Sequence, residues 1–284
     1  MDEIWTAGDD SASQSSGSRD AFSLLKVLRW SLALVQEQPL LVLLGGFNML
    51  VVTVAPSFLA SPLGAMITIG AELDELTSQA VGFFVGAGVQ LVSMPLQMLA
   101  MAGLICAIER YLSSGEVSIS LLFTSGGAAL RALLCALLVL VITTFIGLLF
   151  LAPGGACLAA AATLGEDLLI PLLIGGSILI IAGLIAYIPV VLGLMLGNLA
   201  AVLEEAGPTQ AVALSWEAAS GNRANLFLII LTFGTLAMIG ACCCYLPAIP
   251  VTGMQWAGLT AAWLRYSRPV EETEGWGFFQ RHGL

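Results

Sequence analysis

Glu204 and Glu205, an adjacent pair of carboxylates, and Arg223, a guanidinium, flank one polar run, NLAAVLEEAGPTQAVALSWEAASGNRANLF, over residues 198–227. Two acids and a base at the ends of a short helix could form a site, and a polar pocket joining them would point to an enzyme acting on lipid. The same residues have a plainer use: the acids end one membrane span, and Arg223 anchors the next at the headgroups. Enzyme chemistry is otherwise poorly provided. His282 is the one histidine and stands three residues from the end, in what reads as a mobile tail. There is no GxSxG, HExxH or P-loop.

The six cysteines, Cys106, Cys135, Cys157, Cys242, Cys243 and Cys244, contain no CxxC. With a single histidine they make no metal-ligand pattern, so no metal and no cofactor are expected. Topology sends Cys157 and the 242–244 run toward one side. There they either remain free thiols or form a disulfide between Cys157 and one of the three.

The element that positions Glu204, Glu205 and Arg223 is the helix between them. Gly207-Pro208 opens it, since proline suits the first helical turn, where its missing N–H costs nothing. Gly221-Asn222 closes it. Val212, Trp216 and Ala219 fall on one face, with Gln210 and Glu217 elsewhere, so the spacing predicts an amphipathic helix lying on a membrane surface.

The rest of the chain explains that membrane. Of 284 residues, 58% are hydrophobic and 10% charged, with a mean hydropathy of +0.98; soluble domains carry about 25% charge. Uncharged stretches cover 38–71, 76–108, 132–165, 168–203 and 224–264, each longer than the roughly 20 residues that cross a bilayer core. The formal net charge of −10 sits largely in tails and short loops. With no basic cluster, nucleic acid is excluded as a partner. No cleavable signal peptide is visible, and the first span is expected to direct insertion.

The expected fold is an all-α polytopic transmembrane bundle of about six spans. Residues 1–18 form a disordered tail, 19–268 the membrane domain and 269–284 a second tail, whose Trp276, Phe278 and Phe279 can touch the membrane. Residues 19–38 read as an interfacial helix. Phe22, Leu25, Leu28 and Leu32 share its apolar face, and Trp30 lies at the interface. The spans fall near 39–60, 80–108, 131–153, within 168–203, at 224–243 and from 250 to about 265. An outer loop begins at Ser61-Pro62, and the polar stretch 109–128 reads as a second surface helix. Helix 131–153 kinks or ends at Pro153-Gly154-Gly155, and Pro171 and Pro189 kink the fourth span. Residues 132–203 have room for an additional pair of short spans.

All nine basic residues (Arg19, Lys26, Arg29, Arg110, Arg131, Arg223, Arg265, Arg268 and Arg281) fall on one side of this topology. The opposite loops hold Glu72, Asp74, Glu75, Glu166 and Asp167. The positive-inside rule therefore places both termini in the cytoplasm. A surface helix precedes a hairpin near 20–37, 115–128 and 208–220, which suggests a threefold pseudo-repeat; cytoplasmic linkers alone would look similar.

No Asp, Glu, Lys, Arg or His lies inside a predicted span, which disfavours proton-coupled transport. Asn48, Gln90, Gln97, Tyr187, Asn198 and Gln255 are the polar residues there, and such groups mostly bond neighbouring helices. Gly82-x-x-x-Gly86 and Gly193-x-x-x-Gly197 allow close helix packing, within the chain or between chains. Gly45-Gly46 and Gly175-Gly176 serve either packing or the broken helices of a transporter.

The run AAVLEEAGPTQAVALSWEAASGNRANLFLI resembles a pattern in a broad group of bacterial membrane proteins, the membrane domain of glycerophosphodiester phosphodiesterases and its stand-alone relatives. Glu204 or Glu205, Gly207, Ala211, Ser215, Trp216 and Gly221 carry the match over about thirty residues; elsewhere the likeness is topological. In the phosphodiesterases catalysis belongs to a separate soluble barrel that has no counterpart here. The resemblance implies a multi-pass protein of the bacterial inner membrane with a supporting role among lipids. The expected function is a non-enzymatic scaffold or accessory subunit, associated with itself or with other membrane subunits, with Glu204, Glu205, Pro208, Ser215, Trp216 and Arg223 of the interfacial helix as the candidate interaction residues. The alternative is a transporter or lipid-translocating protein for a neutral or zwitterionic solute.

Overall fold

The structure, a computed structural model, describes residues 22–71, 75–163, 166–242, 246–268 and 270–282. Every regular element among them is helical: α1 (Leu24–Glu37), α2 (Pro39–Ala71), α3 (Glu75–Ser114), α4 (Leu121–Thr124), α5 (Gly126–Thr163), α6 (Glu166–Leu194), α7 (Gly197–Leu203), α8 (Pro208–Ser220), α9 (Arg223–Cys242), α10 (Ala248–Ser267), α11 (Val270–Glu274) and α12 (Gly277–His282). Five stretches, 39–56, 77–114, 126–161, 168–203 and 223–242, are long and apolar enough to cross a membrane. The chain is a multi-pass membrane protein. The tail 1–18, Glu72, Asp74, Cys243 and Cys244 lie outside the described residues.

Two long hairpins, α2–α3 and α5–α6, and a shorter one, α9–α10, make up the bundle. Each is preceded by a helix: α1, the single turn α4, and α8. The 20-residue α10 is less apolar than the helices holding these five stretches, and none of its residues is exposed. Residues 257–264 are buried without a break, so it has no outward face. Glycines bring its neighbours onto it. A Cβ at Gly46 of α2 would lie 2.1 Å from the Ile249 carbonyl oxygen, and one at Gly253 would lie 2.2 Å from that of Val42. The two backbones therefore touch where side chains would hold them apart, and Gly46 serves packing in an unbroken helix.

Several expected boundaries are corrected. Residues 61–71 continue α2 as helix through Pro56 and Pro62. The surface helix expected over 109–128 is replaced by the end of α3 and the one-turn α4. α5 runs unbroken through Pro153, and α6 through Pro171 and Pro189, leaving no additional pair of short helices in 132–203. The real interruption falls at Met195-Leu196, between α6 and α7.

The amphipathic faces also differ from expectation. α1 buries Val27, Trp30, Ser31 and Leu34, while Leu25 and Leu32 point outward. Phe22 enters the core. The helix carries two apolar stripes, and the one that fits α10 wins: a Cβ at Gly258 would fall 2.2 Å from the Ser31 hydroxyl, which donates 2.9 Å to the Met254 carbonyl. α8 likewise turns its small residues Ala211, Ser215, Ala218 and Ala219 inward and leaves Trp216 41% exposed.

The C-terminal aromatic residues close the core. Phe278 and Phe279 are buried. Phe279 meets Trp30 edge-on at 5.5 Å, and Phe278 lies 6.4 Å from Tyr111. Segment 277–282 is thus docked on α1 and α3, and Trp30 is an interior residue.

Candidate functional site

The break after α6 frees carbonyls that a continuous helix would use. Ser215 of α8 donates its hydroxyl to one of them, Gly193 O, at 2.7 Å in a fully buried contact. Trp216 covers the same glycine, where a Cβ would lie 2.4 Å from the indole. Gly197 faces Cys135 of α5, whose sulfur would be 3.1 Å from a Cβ there. Gly193 and Gly197 are therefore close-approach positions inside the chain. Gly82 and Gly86 have no atom within 4 Å of a Cβ and serve no contact here.

Arg223 sets its guanidinium carbon 4.8 Å from the centroid of the Trp216 ring, a cation–π contact at the α8–α9 corner. Among the described residues no ion pair joins Arg223 to Glu204 or Glu205. The charged trio suggested by the sequence is thereby separated. Glu204 accepts from the Trp263 indole at 3.1 Å. Glu205, held at φ 51° in the turn before Pro208, pairs with Arg131 of α5 at 3.3 Å.

Two arginines supply the caps that α7 lacks. Arg131 Nε donates to Ala201 O at 3.3 Å, and Arg268 reaches Leu203 O at 3.5 Å. Cations at a helix C-terminus satisfy its orphan carbonyls and oppose its dipole. Glu109, near the end of α3, completes the cluster. It lies within electrostatic reach of Arg268, Glu204 and Glu205 but makes no hydrogen bond or ion pair among the described residues. Glu109, Arg131, Glu205 and Arg268 line a cavity of about 450 Å³, with Ser125 and Gly127 at the start of α5 and an apolar wall of Leu121 and Val202. Sequence reasoning missed this meeting because its members come from four helices far apart in the chain. The signal was the shared side that the basic residues require.

A second polar cluster locks the C-terminus. Glu37 accepts from Arg281 Nε at 2.9 Å and Nη2 at 3.0 Å, and from the Tyr111 hydroxyl at 2.5 Å; His282 Nε2 lies 2.8 Å away. The Arg281 hydrogen bonds hold the Glu37 carboxyl down at about 2. His282 is thus a structural partner.

In the membrane-spanning part of α3, Gln90 donates to Gln97 at 3.3 Å, and Gln97 donates to Ser93 at 3.1 Å. This ladder runs along one helix face, and Gln90 is exposed. Asn198 Oδ1 is buried without a partner. Cys157 and Cys242 are free thiols, as are Cys106 and Cys135. No protein-family model, no curated protein and no solved structure matches the chain.

Proposed function

We propose that this protein is a non-enzymatic scaffold or accessory subunit of a membrane complex. The observation that carries the reading is how little the spans cover one another: only 11% of the most apolar window is buried in 126–161 and in 168–203. Such helices offer long faces to lipid or to other spans. The Gln90–Ser93–Gln97 ladder adds to this. Amide groups left facing hydrocarbon are costly, and a second helix would supply their remaining partners. A transport path would instead have turned these glutamines inward.

The same reading makes α10 the sixth span, places both termini with the basic residues on the cytoplasmic side of a bacterial inner membrane, and treats the three helix-plus-hairpin units as a threefold pseudo-repeat. It also keeps the likeness to the membrane domain of glycerophosphodiester phosphodiesterases, carried by Glu204 or Glu205, Gly207, Ala211, Ser215, Trp216 and Gly221.

Mass spectrometry of the protein extracted natively from its own membrane tests the proposal. A stoichiometric protein partner or a second copy is expected, and Gln90→Leu with Gln97→Leu should weaken that association at least several-fold. A lone chain that conducts a solute in proteoliposomes would replace this reading with transport.

A further inference from the structure

The cavity at the basic end holds two opposite charges that do not meet. Glu109 and Arg268 both line it, yet among the described residues they form no ion pair, and the Glu109 carboxylate has no hydrogen-bond donor. Arg268 makes one long contact, 3.5 Å to Leu203 O, which leaves most of its N–H groups unused. Arg131, beside it, keeps one terminal nitrogen beyond its bonds to Ala201 O and Glu205.

The start of α5 faces the same space. The sequence there is Ser125-Gly126-Gly127-Ala128, and Gly127 and Ala128 line the cavity. First-turn N–H groups have no intrahelical acceptor. Ser125 does not cap them: its hydroxyl donates to Leu121 O, and among the described residues no first-turn N–H donates to it. A Cβ at Gly126 or Gly127 would meet nothing within 4 Å, so a ligand can approach the backbone closely. Uncapped N–H groups at the positive end of a 38-residue helix, with Arg131 and Arg268 beside them, make an anion site. The carboxylate of Glu109 makes a cation site in the same cavity.

We infer that this cavity binds a phosphate–ammonium zwitterion of the phosphoethanolamine type. The phosphate lies against the α5 N-terminus, Arg131 and Arg268, and the primary ammonium donates to Glu109. Charge balance selects the zwitterion. Glu109 and Glu205 cancel Arg131 and Arg268, so the lining favours neither a net anion nor a net cation. A primary ammonium is favoured over a quaternary one because Glu109 needs a donor and, among the described residues, no aromatic ring lines the cavity to cage a methylated cation. The volume lies within the range of small-molecule sites. The apolar wall of Leu121, Val202 and Leu203 at the end of the spans suits a ligand that continues as a lipid, while a soluble ester would present the same head.

Lipid retention in nanodiscs of phosphatidylethanolamine, phosphatidylcholine and phosphatidylglycerol is the test, with O-phosphoethanolamine and inorganic phosphate as soluble competitors. At least tenfold preference for phosphatidylethanolamine is expected. Glu109→Gln should reduce its advantage over phosphatidylcholine about tenfold. Gly127→Leu should abolish binding with an unchanged melting temperature, since its side chain enters open space. Binding of O-phosphoethanolamine without the lipid preference would keep the site and assign it to a soluble ester. Equal retention of all three lipids without binding of O-phosphoethanolamine, displacement by inorganic phosphate as effective as by O-phosphoethanolamine, or an unaltered Glu109→Gln profile would overturn the inference. None of these outcomes bears on whether the protein has membrane partners, so the accessory reading stands or falls separately.

Discussion

The basic end of the molecule and the α5–α6 hairpin are stabilised by different means. At the basic end, α1, α7, α8, α10 and α12 bury Trp30, Trp263, Phe278 and Phe279 and satisfy freed carbonyls with Ser215, Arg131 and Arg268. That is the economy of a water-soluble core: aromatic area, caps and ion pairs. Along their apolar length α5 and α6 meet through Gly154, Gly176 and Gly183 and present Phe145, Leu148, Ile178 and Ile185 outward. Water would not tolerate that surface, whereas lipid tails do. The comparison teaches that the same residue change should cost much at one end and little along the other's exposed face.

Backbone contact gives the sharpest version. Gly253→Leu must push α10 off Val42 O, a backbone atom that cannot rotate away, and we expect a loss of more than about 3 kcal/mol, enough to deplete folded protein. Gly155→Leu in the hairpin meets no atom within 4 Å and should leave the melting temperature within a few degrees. Thermal unfolding in one detergent, followed by circular dichroism, compares the two. Similar losses would erase the distinction drawn here.

Truncating a buried ring comes next. Phe279→Ala removes the side chain that meets Trp30, Trp276 and Phe278 and is expected to cost about 3 kcal/mol. The loss should appear as undocking of 277–282, seen as faster amide exchange there and proteolysis near the C-terminus. Phe145→Ala, on the hairpin's exposed face, should change neither.

How much of this was legible follows the same division. The spans were readable because a long uncharged run has few other uses. Which face of α1 or α8 turns inward was not readable. Each helix has two serviceable stripes, and the choice depends on Gly258 or Gly193 arriving from elsewhere in the chain. The helix break at Met195-Leu196 escaped notice because prolines attracted attention and the interruption has none. The cavity beside Glu109 was invisible for a related reason: its residues have ordinary roles singly, and only the packing of α3, α5, α7 and α10 faces them toward one another. The docked C-terminus was hidden by its polarity, since seven charged or polar residues in 270–282 disguise two core phenylalanines.

A buried hydrogen bond should show a smaller effect. Ser215→Ala leaves Gly193 O without a donor beneath Trp216, at a cost of about 1 kcal/mol. Ser215→Thr keeps the hydroxyl but adds a methyl to a fully buried site. A stability loss for Thr with none for Ala would mean that volume, and not the cap, matters at the α6–α8 junction. The hairpin control is Thr143→Ala, whose hydroxyl bonds its own helix at Val139 O and should be close to silent.

The smallest expected effect tests the ionic part of the basic end. Glu37 has its carboxyl held at about 2 against an ordinary 4.5, chiefly by Arg281. A depressed carboxylate stabilises the folded state fully above its unfolded value and loses that contribution as pH falls toward the folded value. The Glu37 contribution to docking of α12 should therefore be constant above 4.5 and fade progressively between 4.5 and about 2. The pair lies at the edge of the structure, with Arg281 largely exposed, so solvent screening keeps the effect modest. Amide exchange of 277–282 reads it directly, and Glu37→Gln should remove the Glu37 part of the slope while retaining an acceptor for Tyr111. A segment equally protected in both proteins throughout that window would mean that Phe278 and Phe279 alone hold the C-terminus, and that even at the basic end charge only decorates an apolar lock.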